Sequence, residues 1–307
     1  MFSREQSIEF AKILNVENLI CAAGLILFGC WLLRTSLGTR ALADSAPRRN
    51  NMPLFLPLIP LLIWFGPVPM AVLLTQELTQ DFLADWQNAL VDNCVFSAGA
   101  IVTTAVILLL ARAHFARRLT GFGLTARTMA ADFFAAFVNL LTVWPLIMAA
   151  IILTQYIGGQ IWGRDYQMQP HQELELIAEY PQLPLRITIA VVAVIVAPVL
   201  EELLFRGLVQ TTIRSMLEGG RGTGGGGRGA SALDPPAWSL LGPAWLAIGV
   251  SSGLFAMMHA NPGHWPALFV LSVCLGYAYE KSGSLFRPIF IHAFFNAASV
   301  AAALSQS

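Results

Sequence analysis

Two glutamates stand side by side at Glu201 and Glu202, and an arginine follows at Arg206. They close the stretch APVLEELLFRG, residues 197–207, after a run from Ile187 to Leu200 that carries no charge. Glu202 and Arg206 are four residues apart. On a helix they share one face with the glutamate on the N-terminal side, the better order for an ion pair. That pair therefore has a structural explanation. Glu201 has none nearby, because its neighbours three and four residues away are Ala197, Pro198, Leu204 and Phe205. Its charge must be met by another helix, by water or by a proton. A carboxylate withdrawn from water holds its proton to higher pH, which suits a general base.

Other apolar stretches supply possible partners. SSGLFAMMHA, residues 251–260, ends on His259, with Phe255 one turn earlier on the same face. IFIHAFFNAAS, residues 289–299, carries His292 and Asn296 four apart. Each has a plain reading when taken alone: polar residues in membrane helices commonly hydrogen-bond a neighbouring helix. Together they make a chemical set. A glutamate and a histidine can bind and deprotonate water, and a histidine and an asparagine can donate to a developing oxyanion. The same residues leave a second chemistry open. Glu201, His259 and His292 could ligate zinc, since two histidines and a glutamate leave an open catalytic position.

The elements that must position these residues are membrane helices. The 307 residues are 56% hydrophobic and only 12% charged, about half the charge of a soluble domain. The apolar residues fall in runs long enough to cross a bilayer. With no lipid partner for a bare backbone, the spans must be helical. The reading is an all-α, polytopic membrane bundle of about eight transmembrane helices, at roughly 18–34, 53–74, 94–112, 131–153, 186–208, 240–259, 266–280 and 286–304. Five prolines in the second, Pro53 to Pro69, predict a kink or break there. The first four spans form an N-terminal membrane region, 1–182. The motifs lie in 183–304.

Charge placement predicts topology. The connections holding Arg40–Arg49, Arg112–Arg127 and Arg214–Arg228 are basic, and those between them are acidic or mixed. Both termini are then outside and the basic connections cytoplasmic. Ala41-Leu42-Ala43 imitates a signal-peptidase site, but the first seventeen residues hold three glutamates against Arg4 and Lys12, so cleavage is not expected. The net charge of zero implies no affinity for nucleic acid. Cys21, Cys30, Cys94 and Cys274 form no CxxC pair and read as buried small apolar residues. The Gly-rich connection 218–236 formally contains GxGxxG. No strand precedes it, so a flexible linker is expected and not a dinucleotide site. Residues 171–180 read as a short helix on the outer surface. Asp132, at the start of a span, reads as a charge for the helix N-terminus.

The three motifs together, Glu201-Glu202-x-x-x-Arg206, Phe255-x-x-x-His259 and His292-x-x-x-Asn296, resemble those of the CPBP family. That family includes the type II CAAX prenyl endopeptidases and relatives linked to bacteriocin processing and self-immunity. The resemblance covers roughly 183–303, including the Ala-Pro lead-in and Gly207. It implies an intramembrane endopeptidase acting on a membrane-associated peptide or prenylated protein, in a multi-pass protein of the bacterial plasma membrane. Carried over, Glu201 is the water-activating base aided by His259, His292 and Asn296 form the oxyanion site, and Glu202 and Arg206 are supports. No cofactor is expected, with zinc as the alternative, because Asn296 is a good oxyanion donor and a poor zinc ligand.

Two other functions compete. A non-catalytic immunity or peptide-binding protein would not need the intact set of Glu201, His259, His292 and Asn296. A transporter using Glu201 as a proton carrier would be expected to show repeats or paired broken helices. One feature fits the peptidase poorly. His259 falls at the outer end of its span, His292 one turn beyond Arg287 near the cytoplasmic side, and Glu201 between. Three depths make no site unless the connection 261–265 is sunk into the bundle or the span ends are misplaced.

Overall fold

The computed structural model describes residues 15–163, 165–169, 171–222 and 242–305. These residues are helices and short connections, with no strand among them beyond one isolated bridge, Asn50–Phe115. Helix α1, Val16–Arg34, starts on the side chain of Asn15, which accepts from the Asn18 amide. Helices α2, Leu58–Phe65, and α3, Pro67–Thr79, are one span interrupted at Gly66. The proline-rich sequence breaks where Pro67 brings no amide proton to the ladder. Next come α4, Asp85–His114, the short α5, Arg118–Phe122, and α6, Met129–Trp162. Gly24 lets α1 lie close on α6, since a Cβ there would stand 2.3 Å from the Leu141 carbonyl oxygen. The short helix expected at 171–180 is α7, Gln172–Glu179, and its Ile177 packs under Leu185 and Val300.

A single helical rod then runs from Leu183 to Gly222. It comprises α8, Leu183–Val191, a π turn Val192–Val196, α9, Ala197–Glu202, a second π turn Leu203–Gln210, and α10, Thr211–Gly222. Three helices follow: α11, Gly242–Met257, α12, Trp265–Ser282, and α13, Phe286–Leu304. Every residue of the second π turn is buried, so the rod is the centre of the bundle. Gly207 sits on that turn because a Cβ would come within 2.2 Å of the Phe122 ring. Large apolar side chains such as Ile26, Leu62, Phe134 and Ile152 point outward. A soluble monomer does not expose such a belt, and a bilayer covers it.

Among the described residues the eight expected spans correspond to eight helical units, of which α4, α6 and the rod run well past the hydrophobic runs while α11 is shorter than its run. Six units are long and apolar enough to cross a membrane: α1, α2–α3, α4, α6, the rod and α13. Helix α11 is apolar but only 16 residues long. Three expectations change. Cys30 and Cys94 are exposed on helix surfaces and not buried, although all four cysteines are free. Asp132 does more than cap a helix: it is buried, accepts from Arg287 Nε at 2.9 Å and forms an ion pair with that guanidinium. The misfit in depth is taken up below, where the register between the rod and α12 sets the level of the connection before α12. The glycine-rich part of the connection 218–236 lies outside the described residues beyond position 222.

Candidate active site

Helix α12 runs parallel to the rod at a constant offset of 66 residues. Arg206 Nη2 donates to Ser272 Oγ at 2.6 Å, Gln210 Nε2 to the Gly276 carbonyl at 3.2 Å, and Arg214 Nη1 to Glu280 Oε2. This register fixes the level of the connection before α12. Trp265 lies opposite residue 199, sixteen positions along the rod from Leu183, or about 24 Å at 1.5 Å per residue. The connection that carries His259 therefore reaches the level of the glutamates. The connection is sunk, as one of the two sequence alternatives required. Irregular backbone at that level has partners of its own. The Trp265 indole donates to the His259 carbonyl at 2.9 Å, Asn261 Nδ2 donates to the Gln169 carbonyl at 3.3 Å, and Asn261 Oδ1 accepts from the Gly263 amide. None of the residues 258–264 is buried, so these hydrogen bonds and not burial satisfy the backbone there.

The two glutamates have different settings. Glu202 is fully buried, and its Oε1 accepts from Arg206 Nη1 at 2.8 Å and from His292 Nδ1 at 2.9 Å. Glu201, on the adjoining face, keeps 19% of its side chain exposed, and its Oε2 is 3.8 Å from His292 Nε2. That gap exceeds a direct hydrogen bond. The imidazole thus turns Nδ1 to one glutamate and Nε2 to the other. With Nδ1–H donating to Glu202, Nε2 is the nitrogen aimed at Glu201. The partner that Glu201 lacked in its own helix comes from α13.

Phe255 binds the remaining members together. Its ring lies 5.7 Å from the His292 ring, 4.9 Å from the His259 ring and 4.6 Å from the Arg206 guanidinium. His259 Nδ1 hydrogen-bonds the Phe255 carbonyl at 2.9 Å, so Nε2 is the nitrogen left for other work. Asn296 sits one turn beyond His292, and its Nδ2 donates to the Ala193 carbonyl at 2.7 Å. Ala193 belongs to the first π turn. Carbonyls of the second also take side-chain donors, Phe205 from Ser251 Oγ and Arg206 from Thr211 Oγ1, each at 3.2 Å. The Glu201 turn is thus flanked by two π turns braced from the side, a feature met often at functional sites.

Glu201, Glu202, Arg206 and His292 converge directly, His259 joins them through Phe255, and Asn296 joins through the rod backbone. Glu201, His259 and His292 do not converge as a metal-binding trio. Among the described residues no group of three or more His, Cys, Asp or Glu side chains is gathered for a metal, and the Phe255 ring contacts both imidazoles. Sequence reasoning missed Ser272 as the second partner of Arg206. Its signal was present as a matched period: Arg206, Gln210 and Arg214 recur every four residues, as do Ser272, Gly276 and Glu280. The Ala193 carbonyl could not have been found, because a π turn leaves no mark in residue types.

A helical bundle with buried acids and a histidine at its centre defines the class as a membrane-embedded protein with an acid–histidine site. Residues 183–298 match the family described as type II CAAX prenyl endopeptidase Rce1-like. No curated protein and no solved structure matches the chain.

Proposed function

We propose that the protein hydrolyses a peptide bond of a membrane-associated peptide or prenylated protein, using water activated by Glu201. The carrying observation is the division of labour between adjacent carboxylates: Glu202 buried and engaged by Arg206 and His292, Glu201 partly open and 3.8 Å from His292 Nε2. Glu201 takes a proton from water, and the resulting hydroxide adds to the scissile carbonyl. His259, through its remaining Nε2, steadies the water. The oxyanion receives hydrogen bonds from Nε2–H of His292 when its ring is doubly protonated and from the second N–H of the Asn296 amide, the first being held by Ala193. Collapse of the adduct breaks the C–N bond, and the proton held by Glu201 passes to the leaving amine. The products are a carboxylate and an amine.

Glu201→Gln keeps the shape and removes the base. Purified variant in detergent should melt like the parent but cleave a prenylated CAAX-type peptide at least about a hundredfold more slowly. Wild-type turnover in this variant would overturn the assignment. A parallel assay with a metal chelator tests the zinc alternative, since the glutamate reaction predicts no change in rate.

A further inference from the structure

Arg49, Arg117 and Arg118 share exposure and the lack of an ion pair among the described residues with Arg34, Arg40, Arg112 and Arg127, and differ from them in being gathered at one backbone bridge. Arg206, Arg214 and Arg287 each meet a carboxylate, while Arg48 lies 4.1 Å over the Tyr279 ring and donates to the Tyr279 carbonyl at 3.0 Å. Arg49, Arg117 and Arg118 are exposed, and none forms an ion pair among the described residues. The backbone nevertheless gathers them. The antiparallel bridge Asn50–Phe115 is flanked by hydrogen bonds from the Ala116 amide to the Arg49 carbonyl and from the Asn51 amide to the His114 carbonyl, both 3.0 Å. Arg49 thereby lies beside Ala116, one residue from Arg117 and two from Arg118.

Arg49 faces Ala116 across the bridge, so the three like charges lie at neighbouring positions, where they raise the local positive potential. Arg118 adds a cost, because its φ of +53° lies in the left-handed region that non-glycine residues rarely occupy. Three unpaired cations on one fixed corner, one of them on strained backbone, call for an anion. Guanidinium groups fit phosphate oxygens through paired N–H donors. The same segment then turns apolar, with Leu54 and Phe55 each 60% exposed. A free phosphate would use only the cations. A phospholipid would use the cations and the apolar side chains together.

We propose that this corner binds an anionic phospholipid, its phosphate on Arg49, Arg117 and Arg118 and an acyl chain along Leu54 and Phe55. The site is independent of the proteolytic reading. The test uses the full chain in nanodiscs of phosphatidylcholine mixed with phosphatidylglycerol, with retained lipid read by native mass spectrometry. Wild type should keep phosphatidylglycerol after release, and the triple variant Arg49→Gln, Arg117→Gln, Arg118→Gln should lose it. A control with Arg34→Gln, Arg40→Gln and Arg127→Gln removes equal charge and should keep it. Equal loss in both triples means diffuse attraction and overturns the site, as does retention in the first. If inorganic phosphate raises the melting temperature in pure phosphatidylcholine as much as phosphatidylglycerol does, the ligand is free phosphate and the lipid assignment fails. Should the triple variant not fold, Arg118→Gly relieves the strained φ and removes one cation. It should melt higher in neutral lipid and retain less phosphatidylglycerol, and unchanged retention would reject the proposal.

Discussion

The rod carries two buried arginine–glutamate clusters, two helical turns apart, and they are built differently. At Arg206 the glutamate is local, four residues back on the same helix, so the cross-helix reach is spent on Ser272 and, through Glu202, on His292. At Arg214 one glutamate is again local and two further partners are distant. Glu280 comes from α12, Glu218 from the next turn, and the Ser45 carbonyl from the connection after α1, which receives Arg214 Nη2 at 2.7 Å. The first cluster aims a functional imidazole, and the second ties three parts of the chain together. A buried ion pair is weak evidence for stability as such. Its use is read from what else its atoms hold.

The widest separation between the clusters should appear on removing each arginine. Arg206→Ala leaves Glu202 buried with His292 Nδ1 as its remaining partner, so the carboxylate that orients the imidazole loses its anchor. The expected loss is about 3–5 kcal/mol, seen as a lower melting temperature in detergent and as turnover that stays low even in the folded fraction. A stable variant with no activity would instead make Arg206 a direct substrate contact.

Arg214→Ala should cost less, about 1.5–3 kcal/mol for lost hydrogen bonds to charged groups. Glu280 keeps the Gln210 amide at 3.0 Å, and Glu218 is 29% exposed and can turn to solvent. Turnover per folded molecule should be unchanged in a cleavage assay corrected for active fraction. Abolished turnover with an intact melt would erase the distinction drawn between the two clusters.

Asp132→Asn probes a third, more open pair. Arg287 retains 24% exposure, so solvent offsets much of the loss, and the change should be about 1 kcal/mol or less. Because Arg287 opens α13 five residues before His292, the sharper reading is kinetic. A fall in kcat with unchanged KM would mark Asp132 as a residue that positions His292 from outside the matched family region.

How much of this was legible before the structure depended on range. The Glu202–Arg206 pair follows from a spacing of four and needs no tertiary information. The existence of eight helical units followed from hydrophobic runs, although α6 and the rod extend well past their apolar cores. The break at Gly66 was announced by five prolines. What could not be read was relative depth. Hydropathy marks where a helix enters an apolar region but carries no register between helices, so His259 was placed at the outer end of its span. The offset between α12 and the rod, set by Ser272, Gly276 and Glu280, brought it level with Glu201. The Asp132–Arg287 pair was missed for a similar reason, because its members are 155 residues apart.

The smallest effect is expected where the sequence is least able to pack. Residues 223–236 are dominated by glycine, which has no side chain to bury and the largest entropy to lose on ordering. The described side chains around Glu201 come from the rod, α11 and α13, and the family match runs through this stretch as well. The two clusters fix α10 and α12 against each other without it, so its task is reduced to joining α10 to α11. Replacing it with a Gly/Ser linker of equal length keeps the same number of residues between α10 and α11. The replacement should leave melting temperature and peptide turnover within experimental error of the parent. Loss of cleavage in a variant that melts normally would assign the segment a place over the bound substrate, and would extend the functional cluster past the end of the rod.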